Sequence, residues 1–228
     1  MDIEKYKQLL DSNSNDALGY VDESKSRFQS FLHCLHFLKT QTNPSILELG
    51  TTRSFVGGAF EGCNSSDVKY WNPQDYTKWD FGAGAFTLLF GQLGYDLSTV
   101  DLIRDHIIRC KIMTDSLNIG CNHYNENSIT FLQKTQQKYD LIYLDTGDMH
   151  PIEPSENLQL EEAKLIVSRG LLKDGGIILI DDVLNHTPRT LGNIQNKYGK
   201  STKSLPYLQN NGFDLVFMGL QYILQGRK

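Results

Sequence analysis

The chain has 228 residues, a length that fits one α/β domain with a buried core better than two independent domains. Hydrophobic residues make up 39% and charged residues 21%, a composition typical of a folded soluble protein and not of a disordered or fibrous one. Lys and Arg number 22 against 27 Asp and Glu, so the formal charge of −5 excludes the broad basic surface that nucleic-acid backbones require. We expect no nucleic-acid partner.

The sequence also lacks the features of a membrane or secreted protein. No stretch approaches the roughly 20 apolar residues of a membrane-spanning helix, and the N-terminal residues are polar where a signal peptide would be apolar. The 4 cysteines show no CxxC spacing, which favours small buried side chains over metal ligands or nucleophiles. These features predict a cytoplasmic protein without a membrane partner.

The first predicted element is a helical lead-in over residues 2–40. Phe28, Phe31 and Leu35 recur at spacings of three and four, and Pro44 follows just beyond the run. From residue 45 onward, short apolar runs alternate with amphipathic segments. This alternation is typical of a parallel sheet covered by helices.

The alternating region is predicted to contain five strands, each but the last followed by a helix. The predicted strands are 45–49, 98–102, 119–124, 139–144 and 176–180. The predicted helices are 85–93, 103–117, 128–138 and 156–172. Two further β-rich segments, 213–220 and 221–225, follow each other without room for a helix and must therefore pair antiparallel. A dinucleotide-binding domain ends differently, because its sixth strand arrives through another crossover.

Residues 51–81 interrupt the alternation. They are rich in Gly, Asn, Ser, Trp and Tyr and have no clear period. A loop of this length is uncommon inside a compact domain unless it serves as a lid or binding loop. Its aromatic side chains could close over a ligand as an active-site lid, or the segment could be a surface insertion that packs on itself.

Glycines follow the first predicted strand and precede the next helix. Glu48 and Gly50 end the first strand, and Gly82 and Gly84 open the helix after the insertion. Glycines at such a turn let a ligand approach backbone N–H groups closely. The same glycines could be ordinary turn residues with no role in ligand binding, since the segment lacks a contiguous GxGxxG.

Polar side chains end the second and third predicted strands. Asp101 stands where an acid in nucleotide-binding sheets accepts hydrogen bonds from both ribose hydroxyls, and the alternative is a helix N-cap. Asn127 and Ser128 stand where an adenine edge could be recognised, and they could instead cap the next helix.

Carboxylates follow the fourth and fifth predicted strands. If those strands are neighbours, Asp145, Asp181 and Asp182 converge, and three unneutralised carboxylates would raise one another's pKa values. A hard divalent cation resolves that conflict, and all-oxygen ligands select Mg²⁺, Mn²⁺ or Ca²⁺ over zinc. The alternative is that Asp181 and Asp182 cap the following loop while Asp145 binds backbone N–H groups.

Together these residues resemble the class I S-adenosylmethionine-dependent methyltransferases over about residues 45–228. ELG at 48–50 is similar to the first half of motif I of these enzymes, and Asp101 is similar to the acidic residue that ends their second strand. The closing antiparallel strand pair of these enzymes is similar to residues 213–216 and 222–224. LDTGDMH at 144–150 and GGIILIDDV at 175–183 are similar to DGDMY and GGxxIIDDY of the macrocin-type, metal-dependent sugar O-methyltransferases. They are similar, less closely, to motifs of catechol-type enzymes.

The resemblance implies a Rossmann-like methyltransferase fold: an α/β fold with a mostly parallel seven-stranded sheet, helices on both faces and an antiparallel C-terminal strand pair. It implies a single domain over 1–228, in which 1–44 is the lead-in and 51–81 the insertion. The cofactor S-adenosyl-L-methionine is then expected at Glu48, Gly50, Gly82, Gly84, Asp101, Asn127, Ser128 and Asp145.

The resemblance also implies a metal-assisted reaction. Mg²⁺ or Mn²⁺ is expected at Asp145, Asp181 and Asp182, where it would lower the pKa of an acceptor hydroxyl. Asp148 or His150 would then remove the proton. LDTGD has one residue more between its acids than DGD, which leaves the choice of base open.

A basic segment after the fifth strand bears on the acceptor. Residues 187–205 contain Arg189, Lys197, Lys200 and Lys203 and no acid. They predict a small polar acceptor that carries phosphate or carboxylate, such as a nucleotide-linked sugar. The alternative is a solvated loop whose charges only maintain solubility.

Other functions stay open at this point. A catechol-type small-molecule O-methyltransferase, a nicotinamide-dependent oxidoreductase and a catalytically silent nucleotide-binding module all fit parts of the pattern. The missing GxGxxG and the antiparallel ending count against the oxidoreductase. The sequence is also compatible with a homodimer.

Overall fold

Seven strands form one sheet in the order β3-β2-β1-β4-β5-β7-β6. The structure, a computed structural model, describes residues 3–11, 26–57, 62–80, 84–148, 151–183 and 199–227. The strands are β1 Ser45–Leu49, β2 Asp96–Asp101, β3 Asn122–Asn125, β4 Tyr139–Leu144, β5 Leu172–Ile180, β6 Phe213–Met218 and β7 Tyr222–Gly226. The α-helices are α1 Lys7–Asp11, α2 Arg27–Leu38, α3 Ala85–Gly91, α4 Arg104–Ser116, α5 Ser128–Lys134, α6 Ile152–Ser168 and α7 Ser204–Asn210.

The sheet topology confirms the predicted fold class. Strands β1 to β5 pair in parallel, and β7 pairs antiparallel with both β5 and β6. The predicted bounds of the first and fourth strands match β1 and β4. Every residue of β1 and of β4 is buried, as expected for central strands with helices on both faces.

Successive residues of each strand point to opposite faces of the sheet and build two cores. Ile46 packs in one cluster with side chains of α2, α3 and α4, and Leu47 packs in the other with side chains of α5, α6 and α7. The helices therefore cover both faces, and the carboxyl ends of the parallel strands meet at one edge of the sheet.

Among the α-helices in the described part of the chain, α7 was not predicted. Helix α7 lies in and just after the basic segment that the sequence presented as loop. It contains Pro206 in its first turn, where a proline removes no helical hydrogen bond because the first N–H groups have no partner within the helix. Pro206 is therefore compatible with the helix.

The lead-in is helical in both of its described parts, α1 with the preceding 3₁₀ helix Ile3–Tyr6, and α2. Among the described insertion residues, 51–57 and 62–80, Tyr76 and Trp79 pack against Tyr6 of that lead-in. Trp79 is buried, and its ring stacks on Tyr6 at 5.7 Å between centroids and lies 5.3 Å from Trp71. The insertion thus contributes aromatic side chains to the core.

In the described part of the chain, no helix combines the length and apolar character needed to cross a membrane.

Candidate active site at the carboxyl ends of the strands

A cavity of about 270 Å³ opens beyond the carboxyl ends of β1, β2 and β4. Ligands in open α/β sheets bind in this crevice. Its lining includes six residues that the sequence predicted for the site: Gly50, Asp101, Asn127, Ser128, Asp145 and Asp148.

The turn after β1 depends on Gly50. Its φ of +90° is a left-handed conformation that glycine adopts readily. A Cβ at this position would lie 2.5 Å from the carbonyl oxygen of Asp145, so only glycine lets the β1 turn approach the β4 turn. The next residue, Thr51, also lines the cavity, and its buried hydroxyl interacts with the Glu48 carboxyl and the Cys110 thiol.

Gly84 and Glu48 lie away from the cavity lining. Gly84 has a φ of +89° at the N-cap of α3, and a Cβ there would lie 1.8 Å from the Thr52 hydroxyl oxygen. Gly84 therefore permits close packing of α3 on the β1 turn. The predicted Gly82 lies outside the described residues.

Glu48 is buried between β1, β2 and α3. It accepts hydrogen bonds from the hydroxyls of Thr87 and Thr99, the latter at 2.6 Å. Burial raises the pKa of Glu48 to about 7, although these hydrogen bonds act in the opposite direction. The strand period predicts this orientation, because Glu48 shares a face with Ile46 and not with the neighbouring leucines.

Asp101 connects the ends of β1 and β2. Its Oδ1 accepts from the backbone N–H of Ile103 at 2.7 Å, and its Oδ2 accepts from the backbone N–H of Thr51 at 3.0 Å. The His106 Nδ1 lies 3.1 Å from the same Oδ2. Asp101 thus closes the turn that leads into α4, although the N-cap residue of that helix is Ile103, and Asp101 also lines the cavity.

The helix after β3 is capped by Asn127. Its side-chain oxygen accepts from the backbone N–H groups of Ile129 at 2.9 Å and Thr130 at 3.3 Å. Ser128 is the first residue of α5 and not its cap. Asn127 and Ser128 both line the cavity.

The three predicted metal ligands converge, because β4 and β5 are neighbours. The Asp181 carboxylate accepts from Arg27 Nε at 3.0 Å and Nη2 at 3.1 Å, and both side chains are buried. The Tyr143 hydroxyl also donates to Asp181. Burial alone would raise the pKa of Asp181, but the Arg27 guanidinium and the Tyr143 hydroxyl hold it below its usual value.

Lys200 occupies the space between the other two carboxylates. Its Nζ lies 2.7 Å from Asp182 Oδ2 and 3.5 Å from Asp145 Oδ1. Burial raises the pKa of Asp145 well above its usual value, and the charge of Asp181 adds to that effect. The pKa of Lys200 is raised despite burial, because the carboxylates of Asp145 and Asp182 favour its charged form.

These contacts do not fit the predicted divalent cation. The chain's own Arg27 and Lys200 already pair with the three carboxylates. Among the described residues, no group of three or more His, Cys, Asp or Glu side chains is arranged so that it could hold a metal ion. The predicted convergence of the three carboxylates is confirmed. Their negative charges are balanced by the side chains of Arg27 and Lys200 and not by the predicted metal ion.

The candidate base Asp148 lies at the mouth of the cavity, where its carboxylate pairs with Arg53 at 3.0 Å. Both side chains are largely exposed, Asp148 at 73%. The other candidate, His150, lies outside the described residues. Arg53 was not singled out from the sequence, since a lone arginine in an irregular segment has no pattern that marks it.

The basic segment differs from the prediction at the two lysines that the structure describes. Lys200 is buried on Asp145 and Asp182, and Lys203 lies 3.8 Å from Glu156 and donates to Asn157 at 2.6 Å. Acids distant in sequence neutralise these two lysines, so they do not form a free cationic surface. Arg189 and Lys197 lie outside the described residues.

No protein-family model matches the sequence, and no curated protein matches it. Solved structures do resemble it. The N-methyltransferase NodS from Bradyrhizobium japonicum is 14% identical over 88% of this chain and 96% of its own, with a TM-score of 0.53. The SAH-bound methyltransferase PaMTH1 from Podospora anserina is 17% identical over 99% of this chain and 88% of its own, with a TM-score of 0.52.

At these identities the likeness establishes the fold alone. The chain has the Rossmann-like fold of class I S-adenosylmethionine-dependent methyltransferases.

Proposed function

We propose that the chain is an S-adenosylmethionine-dependent methyltransferase that methylates an oxygen of a small polar acceptor. The observation that carries this proposal is the position of the cavity in a sheet whose last strand is antiparallel. It lies where the Gly50 turn, the acid at the end of β2 and the capped start of α5 come together. The nicotinamide-dependent oxidoreductase is disfavoured by the same strand order.

The chain's own residues suit a nucleoside-containing methyl donor. Asp101 can accept hydrogen bonds from ribose hydroxyls, because each carboxylate oxygen can accept more than one hydrogen bond. The Gly50 turn offers backbone polar groups to the rest of the donor. Asn127 and Ser128 can contact the base. Asp145, which the sequence also predicted as a donor contact, lies in the lining as well.

When bound, S-adenosylmethionine supplies an electrophilic sulfonium methyl group. The protein must orient the acceptor in line with that group and remove a proton from it. We propose Asp148 or His150 as the base. Asp148 lines the cavity, and its carboxylate pairs with the Arg53 guanidinium at 3.0 Å.

Polar lining around Asp145, Thr146 and Asp148 supports a sugar hydroxyl, as in macrocin-type enzymes, over a catechol. Among the described lining residues, none is Phe, Tyr or Trp. The divalent cation of that subtype is not part of the proposal, because the acids do not fit it.

Isothermal titration calorimetry with S-adenosylmethionine, S-adenosylhomocysteine and NAD⁺ tests the proposal. We expect binding of the first two and none of NAD⁺. A radiolabelled methyl-transfer screen of nucleotide sugars against catechols then tests the acceptor class. Binding of NAD⁺ alone would contradict the proposal, and donor binding without transfer to any acceptor would favour a silent binding module.

A further inference from the structure

The Lys200 ammonium is surrounded by oxygens from the ends of β4 and β5. Besides Asp182 Oδ2 at 2.7 Å and Asp145 Oδ1 at 3.5 Å, it donates to the carbonyl oxygens of Gly147 at 2.9 Å and Thr146 at 3.3 Å. The side chain is 1% exposed. Two carboxylates and two carbonyls form the kind of oxygen-rich environment that hard cations prefer.

The backbone holds Lys200 in this position. The preceding Gly199 has a φ of +54°, and a Cβ on it would lie 2.0 Å from the carbonyl oxygen of Asp182. The N–H of Lys200 donates to that same oxygen at 3.0 Å. Asp182 itself has a φ of +52°, which is uncommon for a residue other than glycine. Two left-handed residues therefore bring the chain back onto the end of β5.

The charge balance explains why a cation is needed here. Asp145, Asp181 and Asp182 would together carry three negative charges, and Arg27 pairs with Asp181 on the side of α2. Lys200 then neutralises part of the charge on the other two acids. Removal of either cation would leave an excess of negative charge among the buried acids. This is strongly destabilising, because a buried carboxylate then lacks its partner.

We propose that Lys200 is a tethered cation that takes the place of a divalent metal ion at the ends of β4 and β5. The protein then binds its methyl donor and transfers the methyl group without a divalent cation. The first statement, that Lys200 takes the place of a metal ion, does not depend on the proposed function. The second statement, that donor binding and methyl transfer need no divalent cation, rests on it.

Mn²⁺ binding tests the first statement directly. In calorimetric titrations we expect no saturable Mn²⁺ binding to the wild-type protein, and its unfolding midpoint should be the same in EDTA and in Mn²⁺. Lys200→Ala should have a lower midpoint in EDTA, bind Mn²⁺ at one site, and recover stability as Mn²⁺ is added, because the ligand binds only the folded state. Lys203→Ala is the matched control and should behave as wild type.

A further substitution identifies the oxygens involved. Adding Asp182→Asn to Lys200→Ala should abolish the new Mn²⁺ site. One-to-one Mn²⁺ binding to the wild-type protein that disappears in Asp182→Asn would overturn the inference, as would a folded Lys200→Ala variant that binds no Mn²⁺. If Lys200→Ala does not fold in EDTA, refolding it with and without Mn²⁺ decides the question, since rescue by Mn²⁺ supports the inference and failure of rescue contradicts it.

The second statement is tested with S-adenosylmethionine and the wild-type protein. Donor affinity and methyl transfer should be equal in EDTA and in Mg²⁺. A requirement for Mg²⁺ would contradict the metal-free reaction. Absence of donor binding in both buffers would refute the proposed function and leave the Mn²⁺ results standing.

Discussion

Glu48 and Glu162 are buried carboxyl groups whose usual charge is unfavourable in the core. Burial raises the pKa of each to about 7. Glu48 lies between the sheet and α3, and Glu162 on α6 accepts from the Thr146 hydroxyl at 2.8 Å. Each hydroxyl partner lowers the penalty of burial without removing it. Both groups therefore couple folding stability to pH.

Glu48→Gln should flatten the pH dependence of stability. The folded pKa of Glu48, about 7, exceeds the ordinary value of 4.5, so the folded state holds a proton that the unfolded state releases. The resulting stability is fully present below about pH 4.5, falls as the pH rises to about 7, and totals on the order of 3 kcal/mol.

Urea unfolding of wild type and Glu48→Gln between pH 4.5 and 8 measures this effect. The exposed Glu161→Gln is the matched control and should leave the wild-type slope unchanged. Equal slopes in wild type and Glu48→Gln would show that Glu48 keeps its ordinary pKa.

Asp101→Asn tests the proposed ribose contact with little change in shape. The amide oxygen can still accept from the Ile103 N–H, but the charge and one acceptor atom are lost. Because hydrogen bonds to charged groups contribute about 1.5–3 kcal/mol, S-adenosylmethionine affinity should fall at least about tenfold. Calorimetry measures the affinity, and Asp105→Asn on the exposed first turn of α4 is the control. Unchanged affinity in a folded Asp101→Asn protein would exclude this role.

The insertion acts as an element of the core as well as a wall of the cavity. Phe55, Val56 and Trp79 are buried, and Val56 forms an antiparallel bridge with Trp79. Of the described insertion residues, Thr51 and Arg53 line the cavity. The described aromatic side chains thus anchor the segment on α1 and the 3₁₀ helix before it.

Trp79→Ala should therefore destabilise the protein by about 3–5 kcal/mol, because it removes a large buried side chain that stacks on Tyr6. Thermal or urea unfolding measures the loss. Val68→Ala, in the same insertion but 51% exposed, should change stability by less than about 0.5 kcal/mol. A comparably small loss in Trp79→Ala would mean that the insertion is detachable from the core.

A buried polar network joins distant parts of the whole molecule. Arg27 on α2 binds Asp181, 154 residues later in the chain. Tyr143 on β4 donates to the same carboxylate and accepts from Gln221 Nε2 at 3.0 Å, and Ser30 on α2 donates to Gln221. The lead-in is therefore fixed to the edge of the sheet that carries the candidate site.

Arg27→Met should lower the free energy of unfolding by about 3–5 kcal/mol, because it leaves the Asp181 carboxylate buried without its partner. Asp181→Asn added to Arg27→Met should restore part of the loss. Arg227→Met breaks a solvent-exposed pair with Asp214 and should have a much smaller effect. If Arg27→Met and Arg227→Met were equally stable, the network would not hold α2 to the sheet.

Local patterns in the sequence determined the architecture. Apolar runs of strand length between amphipathic segments predicted β1 and β4 at their observed bounds, and the short distance between the last two β-rich segments predicted their antiparallel pairing. These inferences succeed because side-chain period and loop length act over a few residues. The placement of Gly50, Asp101 and Asp145 at one edge follows from the same rule, since parallel strands all end there.

Only the tertiary structure decided which charges meet at that edge. The three carboxylates were predicted to converge, yet their partners are Arg27 on α2 and Lys200, 55 residues after Asp145. No period connects such residues, and an arginine or lysine in sequence gives no sign of burial. Which cation neutralises a buried acid depends on how the helices and the returning chain pack against the sheet, because that packing sets both the distance between the charges and their exclusion from water.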